Sequence, residues 1–232
     1  MSSDWITSNT NDTINVDIYS QETLRESIDH LLDYANVHHQ RKFVETVELQ
    51  IVLKNYDTQR EKRFATNIQL RYPIRPRYKV CVYGDEQHCD EARLHNIPHM
   101  STDDLRRMNK DRKKKRKLEH RYHAFLASEN VIRQIPRLLG PGLGRAGKFP
   151  TLITHTESLR DKIEQMKGNI RIQLKKQPLI NVPVGHVNMT GEQLMSNITM
   201  TINCAVALLR KHWQHVQKVF IKSTMGPSRR LY

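Results

Sequence analysis

Hydrophobic residues in the first part of the chain recur first at helical spacing and then at strand spacing. Over residues 21–35 they lie three or four positions apart, which predicts an amphipathic helix capped by Ser20. Residues 45–53 alternate hydrophobic and polar side chains, and residues 68–70 repeat the alternation briefly. We therefore predict a helix followed by two strands, each with one buried face. The hydrophobic face of the helix consists of Leu24, Ile28, Leu31 and Leu32.

The pattern changes beyond Pro73, where hydrophobic runs become short and continuous. Residues 79–83 and 124–127 are typical of strands buried on both faces, and residues 97–100 suggest a further short strand. Alternating strands and helices need crossover connections, so this block is predicted to form a small parallel sheet with helices on its faces. Its helices are predicted at residues 86–94, 102–120 and 129–139.

The last part of the chain returns to amphipathic helices and alternating strands. Thr190 and Gln193 form a capping box that predicts the start of a long helix ending near Trp213. Because these elements resemble those before residue 71, the parallel block is interpreted as an insert within another domain. The other elements predicted here are a helix at 156–167 and strands at 170–175, 182–187 and 219–222.

These patterns define the predicted fold class as α/β. An α+β first domain is built from residues 20–72 and 154–232, and a Rossmann-like three-layer α/β second domain, residues 73–153, is inserted between them. Residues 1–19 are polar and are predicted to be a disordered extension.

The charge balance favours a polyanionic partner. Lysine and arginine number 38 and acidic residues 24, so the formal net charge is +14. The positive charge is spread along the chain rather than gathered on one amphipathic helix, which favours nucleic acid over a membrane surface.

The cysteines and the hydrophobic runs exclude several protein classes. Cys81, Cys89 and Cys204 are odd in number and lack CxxC spacing, so neither a disulfide framework nor a zinc site is expected. No apolar run approaches the roughly 18 residues of a spanning helix, and the polar N-terminus does not resemble a secretion signal. A cytosolic or nuclear protein with reduced thiols is predicted.

A glycine-rich loop at residues 140–149 carries two phosphate-binding motifs. Gly142, Gly144 and Gly147 spell GxGxxG, and Lys148 completes GxxxxGK without the final Ser or Thr. Both motifs require a strand before the loop and a helix after it, whereas here a predicted helix precedes and Pro150 follows. We therefore interpret the loop as flexible and basic, able to lie against a nucleic-acid backbone.

A dense basic run lies near the end of the predicted helix at 102–120. It could complement the helix dipole, contact phosphates without reading sequence, or be recognised by a nuclear-import receptor. Its members are Lys110, Arg112, Lys113, Lys114, Lys115, Arg116 and Lys117.

No pattern in the chain indicates catalysis. The 12 histidines form no HExxH motif, and GxSxG is absent. We therefore expect no catalytic residues, no metal, no cofactor and no small-molecule substrate. A rival hypothesis, a nucleotide-dependent enzyme using the 140–148 loop, has only the incomplete motif in its favour.

The segment Ser223, Thr224, Met225 and Gly226 follows the last predicted strand and suits contact with folded RNA. Hydroxyls can bond ribose or phosphate, a thioether can lie on a base, and glycine permits close backbone approach. An ordinary frayed tail is the alternative.

Five blocks of the chain form a recognisable set: residues 42–49, 84–92, 139–143 with 146–150, 184–187 and 222–226. In this order and spacing they resemble the universal L-one family of large-subunit ribosomal proteins, in its eukaryotic form (L-ten-a). The likeness extends from about residue 20 to residue 232, and five blocks at family spacing are more specific than any single motif.

The resemblance implies a structural protein whose discontinuous first domain grips a mobile stalk of large-subunit ribosomal RNA. It also implies that the stalk assists release of exit-site transfer RNA, on cytoplasmic ribosomes, after nuclear and nucleolar passage during assembly. An RNA-binding regulator acting off the ribosome, as a diverged paralogue, is the alternative, since Gly144 and Arg145 stand where the family usually has Asn and Lys. The partners implied are large-subunit ribosomal RNA, exit-site transfer RNA and the large subunit, with no membrane.

The same resemblance implies which residues face the RNA. Phe43 and Met225 would pack on ribose or base, and Lys42 and Lys175 would neutralise phosphates. The residues implied to hydrogen-bond ribose and phosphate are Thr46, Gln173, Ser223 and Thr224, with Gly226 beside them.

Overall fold

A computed structural model describes residues 20–57, 64–75, 77–108 and 111–232 of the chain. The predicted extension at residues 1–19 lies outside this range, as do Pro76 and Lys110. The described residues form two compact units: one contains the chain up to Ile74 together with Asn169–Tyr232, and the other is Arg75–Gly168. We call them the antiparallel unit and the parallel unit.

The helices and strands are numbered in chain order within the described residues. The helices are α1 (Gln21–Asp33), α2 (Glu86–Leu94), α3 (Thr102–Arg107), α4 (Arg112–Arg121), α5 (Glu129–Ile132), α6 (Ile135–Leu138), α7 (Gly142–Arg145), α8 (Leu159–Gly168) and α9 (Gly191–Ala207). The strands are β1 (Thr46–Leu53), β2 (Ala65–Gln69), β3 (Val80–Tyr83), β4 (His99–Met100), β5 (Ala124–Ser128), β6 (Thr151–Ile153), β7 (Asn169–Gln173), β8 (Leu179–His186), β9 (Val216–Ser223) and β10 (Arg229–Arg230).

The antiparallel unit is built on a four-stranded sheet in the order β10-β9-β1-β8, with β2 and β7 forming a separate pair. The predicted alternation of β1 is confirmed, because every second residue from Val47 to Leu53 is buried. The buried residues pack against α1 and α9 in one hydrophobic core. The opposite, open face of the sheet keeps its polar side chains partly exposed to solvent.

Two helices cover the buried face, and their starts follow the predicted caps. Ser20 Oγ accepts a hydrogen bond from the Thr23 amide at 3.0 Å, and Thr190 with Gln193 makes the predicted capping box of α9. A turn of π-helix, Tyr34–His38, extends α1, and a 3-10 helix, His212–His215, follows α9. α9 therefore ends before the predicted Trp213.

The parallel unit has a four-stranded sheet in the order β4-β3-β5-β6, with all neighbours parallel. Hydrophobic clusters lie on both faces of this sheet. Cys81, Tyr83 and Phe125 face one cluster, and Val82 and Leu126 face the other. This three-layer arrangement confirms the predicted α/β fold class.

Several elements differ from the sequence predictions for local reasons. The predicted helix at 102–120 is divided into α3 and α4, because Asp111 caps a new helix by accepting a hydrogen bond from the Lys113 amide at 2.9 Å. The helix at 129–139 is divided into α5 and α6, since Pro136 lies in the first turn of α6. α8 belongs to the parallel unit, although the sequence boundary placed residues 154–168 in the first domain.

In the part of the chain that the structure describes, every helix is too short or too polar to traverse a lipid bilayer.

Candidate nucleic-acid interface

The antiparallel unit brings two distant segments together at one end of its sheet. β1 begins at Thr46 and β9 ends at Ser223, and Val47 pairs with Ser223 in the antiparallel register. The residues just before β1 and just after β9 are therefore neighbours, although about 180 positions separate them in sequence. This junction contains Lys42, Phe43, Thr46, Ser223, Thr224, Met225 and Gly226.

Thr224 extends the pairing of β1 with a side chain. Its Oγ1 accepts a hydrogen bond from the Thr46 amide at 3.1 Å and donates one to the Thr46 carbonyl at 3.2 Å. The single hydroxyl hydrogen of Thr224 is thus engaged within the protein. Any contact with RNA would have to use its remaining lone pair, so the geometry indicates that Thr224 positions the loop.

Glu45 organises the same junction and was not predicted as a site residue. Its side chain is buried, and Oε2 accepts a hydrogen bond from the Met225 amide at 3.1 Å. Arg41 Nε lies 3.4 Å from Oε1, and the Glu45 carbonyl accepts from the Val187 amide at 3.0 Å. A glutamate placed before an alternating strand gives no sequence signal that its carboxylate will be buried.

Ser223 and Gly226 fix the shape of the loop from inside. Ser223 is 1% exposed, so its hydroxyl faces the protein interior. A Cβ atom added to Gly226 would collide with Ser223 Oγ and touch Tyr34 Cδ1 at 3.5 Å. Glycine is required here because the backbone passes so close to these side chains.

Three hydrophobic side chains at this junction are exposed, two just before β1 and one in the loop itself. Phe43 is 54% exposed, Val44 44% and Met225 58%, and Lys42 beside them is exposed as well. A groove of about 240 Å³ runs along residues 40–45. We call Lys42, Phe43, Val44 and Met225 the loop patch. A flat ring or a flexible apolar side chain can pack on a nucleotide base, and a neighbouring cation can contact the phosphate of that nucleotide.

Gln173 and Lys175 lie away from the loop patch, at and just beyond the end of β7. Together with Asn181 of β8 they line a cavity of about 560 Å³, and we call these three residues the β7 patch. Asn181 lies five residues before His186, which pairs with Thr46. At about 3.4 Å per residue, the two patches are roughly 17 Å apart along β8.

The open face of the sheet connects the two patches. Asn181 Nδ2 donates to Glu48 Oε2 at 3.2 Å, which places both side chains on this face. Glu48 pairs with Lys222, and Gln50 pairs with Phe220. Lys222 and Phe220 were not predicted as candidates, although the alternation of β9 could have assigned them to the exposed side.

His186 lies at the loop-patch end of β8. Burial lowers the pKa of His186, and its Nδ1 is buried without a hydrogen-bond partner among the described residues. The ring is therefore neutral near pH 7, and the positive charge at this end comes from Lys42 and its neighbours.

The glycine-rich loop of the parallel unit is a structural connection. Gly142–Arg145 forms the short helix α7, and Gly147 has a φ of +69°, which favours glycine. Lys148 Nζ donates to the carbonyls of Glu119 and Tyr122, at the end of α4. The lysine that a phosphate loop would need is therefore engaged within the unit, and the loop contains a short helix.

A crevice of about 890 Å³ at the carboxyl ends of β3 and β5 is the other place where a nucleotide could bind a parallel sheet. The negative charge of four carboxylates that line the crevice would repel a phosphate group. These residues are Asp85, Glu86, Asp90 and Asp103. Within the described residues, no group of three or more His, Cys, Asp or Glu side chains is arranged to hold a metal ion.

Comparison with known proteins agrees with the blocks identified in the sequence. The profile of the "Ribosomal protein L1p/L10e family" matches residues 33–227. Three relatives, each named "Large ribosomal subunit protein uL1", match over 213 residues, which is 92% of this chain and 98% of theirs. Identity is 50% for the Drosophila melanogaster protein and 51% for those of Spodoptera frugiperda and Caenorhabditis elegans.

The family profile spans both units and includes every residue of the loop patch and the β7 patch. Identity near 50% over almost the whole length of the relatives leaves no large segment of them unmatched. The chain belongs to the L1p/L10e family of ribosomal proteins, a family of structural proteins and not of enzymes.

Proposed function

We propose that the protein is a structural constituent of the large ribosomal subunit and that its antiparallel unit binds the ribosomal RNA of the lateral stalk. The relatives are named as large-subunit proteins, and the net charge of +14 suits a polyanionic partner. The observation that carries the proposal is the loop patch, where Phe43 and Met225 are exposed near Lys42 and the Met225 amide is held by the buried Glu45 carboxylate.

Contacts at this surface divide by role. Phe43 and Met225 stack on bases or ribose, while Lys42 and Lys175 contact phosphates, and Gln173 hydrogen-bonds the backbone from the β7 patch. Ser223, Thr224 and Gly226 hold the loop in position, with Thr46 as the partner of Thr224. Lys222 on the open face contributes a further phosphate contact between the two patches.

Binding to a mobile stalk implies a mechanical role. By gripping the stalk RNA while the stalk moves, the protein assists movement of transfer RNA out of the exit site without chemical catalysis. The protein accordingly acts on cytoplasmic ribosomes after passing through the nucleus and nucleolus, where large subunits are assembled.

Binding to a stalk RNA fragment and to a scrambled RNA of equal length, across a salt series, tests the proposal. We expect selectivity for the stalk fragment to persist as salt rises, because stacking and hydrogen bonding are less salt-dependent than phosphate contacts. Equal affinities for the two RNAs that fall together as the salt concentration rises would contradict a specific site. Selective binding without co-sedimentation with large subunits would indicate a regulator acting off the ribosome.

A further inference from the structure

The exposed surface of α4 in the parallel unit is strongly basic and lacks acidic partners. Lys113, Lys114, Arg116 and Lys117 are exposed, and no ion pair involves them within the described residues.

Several cations of this unit outside α4 are paired with nearby carboxylates. Arg93 lies 2.9 Å from Asp90, Arg106 3.2 Å from Asp103 and Arg160 3.6 Å from Glu164. What distinguishes α4 is their density: four exposed cations without an ion pair among the described residues lie within the five positions 113–117.

The position of these cations in the helix is electrostatically unfavourable. Because α4 begins afresh at Asp111, Lys113 and Lys114 lie in its first turn, which contains no acidic residue. The amino end of a helix carries partial positive charge, so lysines there lower its stability. Dipole complementation, one interpretation of the basic run, therefore cannot explain them.

The inward side of α4 is fixed to the rest of the unit. Leu118 packs against the core, Lys115 Nζ bonds the Leu139 carbonyl, and Lys148 bonds the carbonyl of Tyr122 at 2.9 Å. Lys113, Arg116 and Lys117 lie on the other side of the helix, and Lys114, one turn before Leu118, is exposed as well. At about 1.5 Å per residue, Lys113 to Arg121 spans roughly 12 Å, a length over which a double helix carries several phosphates.

We propose that α4 binds the phosphate backbone of RNA without reading its sequence, as a second RNA-binding surface that belongs to the parallel unit. The inference rests on the proposed function only in taking RNA as the polyanion. A membrane surface would require exposed bulky apolar residues, whereas Leu118 points into the core. A receptor that takes an extended basic peptide would have to unfold a helix fixed at both Lys115 and Tyr122.

The test compares the full-length protein with the triple variant Lys113→Gln, Lys114→Gln and Lys117→Gln. The probe is a double-stranded RNA hairpin of scrambled sequence, titrated across a salt series. Each lost phosphate contact reduces the slope of log affinity against log salt by about 0.7–0.9, so we expect the slope to fall by about 2 to 3. The variant should melt at the same or a higher temperature, because removing first-turn cations relieves repulsion.

A matched control removes the same charge elsewhere in the unit. The variant Arg93→Gln, Arg106→Gln and Arg160→Gln should retain the original salt slope, since these cations are paired with carboxylates. Equal changes in both variants would overturn the inference, because net charge alone would then explain the binding. An unchanged slope in the α4 variant, together with lost binding to a nuclear-import receptor, would overturn it in favour of import.

The outcome can be separated from that of the proposed function. If the protein failed to distinguish stalk RNA from scrambled RNA, the loop-patch proposal would fail while the α4 slope change still held. Conversely, the α4 variant could keep the original slope of log affinity against log salt while the protein still distinguishes stalk RNA from scrambled RNA. Only the inference about α4 would then be wrong.

Discussion

Glu45 holds three separate segments at the loop patch through one buried carboxylate and its own carbonyl. The Met225 amide, the Arg41 guanidinium and the Val187 amide all bond it. Neither the burial of Glu45 nor the internal hydrogen bonds of Thr224 could be predicted from sequence, because both depend on partners about 180 residues away. The exposure of Met225 depends on the same contacts.

Replacing Met225 with alanine tests the stacking role. Met225 is 58% exposed, so the change should leave the free energy of unfolding nearly unaltered. Affinity for stalk RNA should fall by about 1–3 kcal/mol, the free energy of burying a methionine side chain against a base or ribose. Filter binding measures the loss. Leu94→Ala, which removes an 82% exposed side chain from the parallel unit, is the control and should have no effect.

Replacing Thr224 with valine tests the positioning role, since it removes the hydroxyl but keeps the shape. Two hydrogen bonds to Thr46 are lost, so we expect about 1–3 kcal/mol of destabilisation in urea denaturation. RNA affinity should fall as well, because Met225 is no longer held in place. Thr224→Ser should restore both quantities. Weakened RNA binding in a valine variant of unchanged stability would instead indicate that the hydroxyl contacts RNA directly.

Elements of the fold were predictable where the pattern was long. The alternation over β1, the capping box of α9 and the continuous hydrophobic run of β3 each indicated the observed element. The two-residue and three-residue strands β10 and β6 are too short to show a period and were missed.

A glycine at the junction of β8 and α9 tests the packing of these elements. A Cβ atom at Gly185 would collide with Leu194 and lie 2.9 Å from Met189 Sδ, and Leu194 is fully buried. Gly185→Ala should therefore destabilise the protein by about 1–3 kcal/mol, as overpacking does. Chemical denaturation provides the measurement. Gly144→Ala is the matched control, because no atom lies within 4 Å of its added Cβ, and it should be neutral or slightly stabilising.

At the scale of the whole molecule, acidification acts on charge and stability in opposite ways. The chain carries +14 at pH 7 with its 12 histidines neutral, so protonating them adds positive charge. Non-selective RNA affinity should therefore rise as the pH falls below about 6.5. A filter-binding series with scrambled RNA would check this, and affinity that stayed constant with pH would contradict it.

The free energy of unfolding should fall over the same interval. Burial lowers the pKa of His186 and is also the main cause that lowers the pKa of His123. A depressed histidine pKa contributes stability that is present above the unfolded value of about 6.5 and lost as the pH falls through the folded value. Urea denaturation across this range should show the decline, and His186→Gln should reduce its steepness. A variant with the same pH profile as the parent would exclude His186 as a contributor.

The discontinuity of the antiparallel unit has a consequence for its synthesis. β1 is complete at Leu53, but its partner β8 begins only at Leu179. At a translation rate of ~5–20 residues per second, β8 is synthesised on the order of ten seconds after β1. During that interval the nascent chain presents an unpaired hydrophobic strand, while the parallel unit already has its full sequence and can fold. Molecular chaperones would therefore bind β1 before its partner strands are available. The loop patch would form only after β9 had left the exit tunnel. A nascent chain that stops short of β9 therefore lacks the RNA site proposed for this unit.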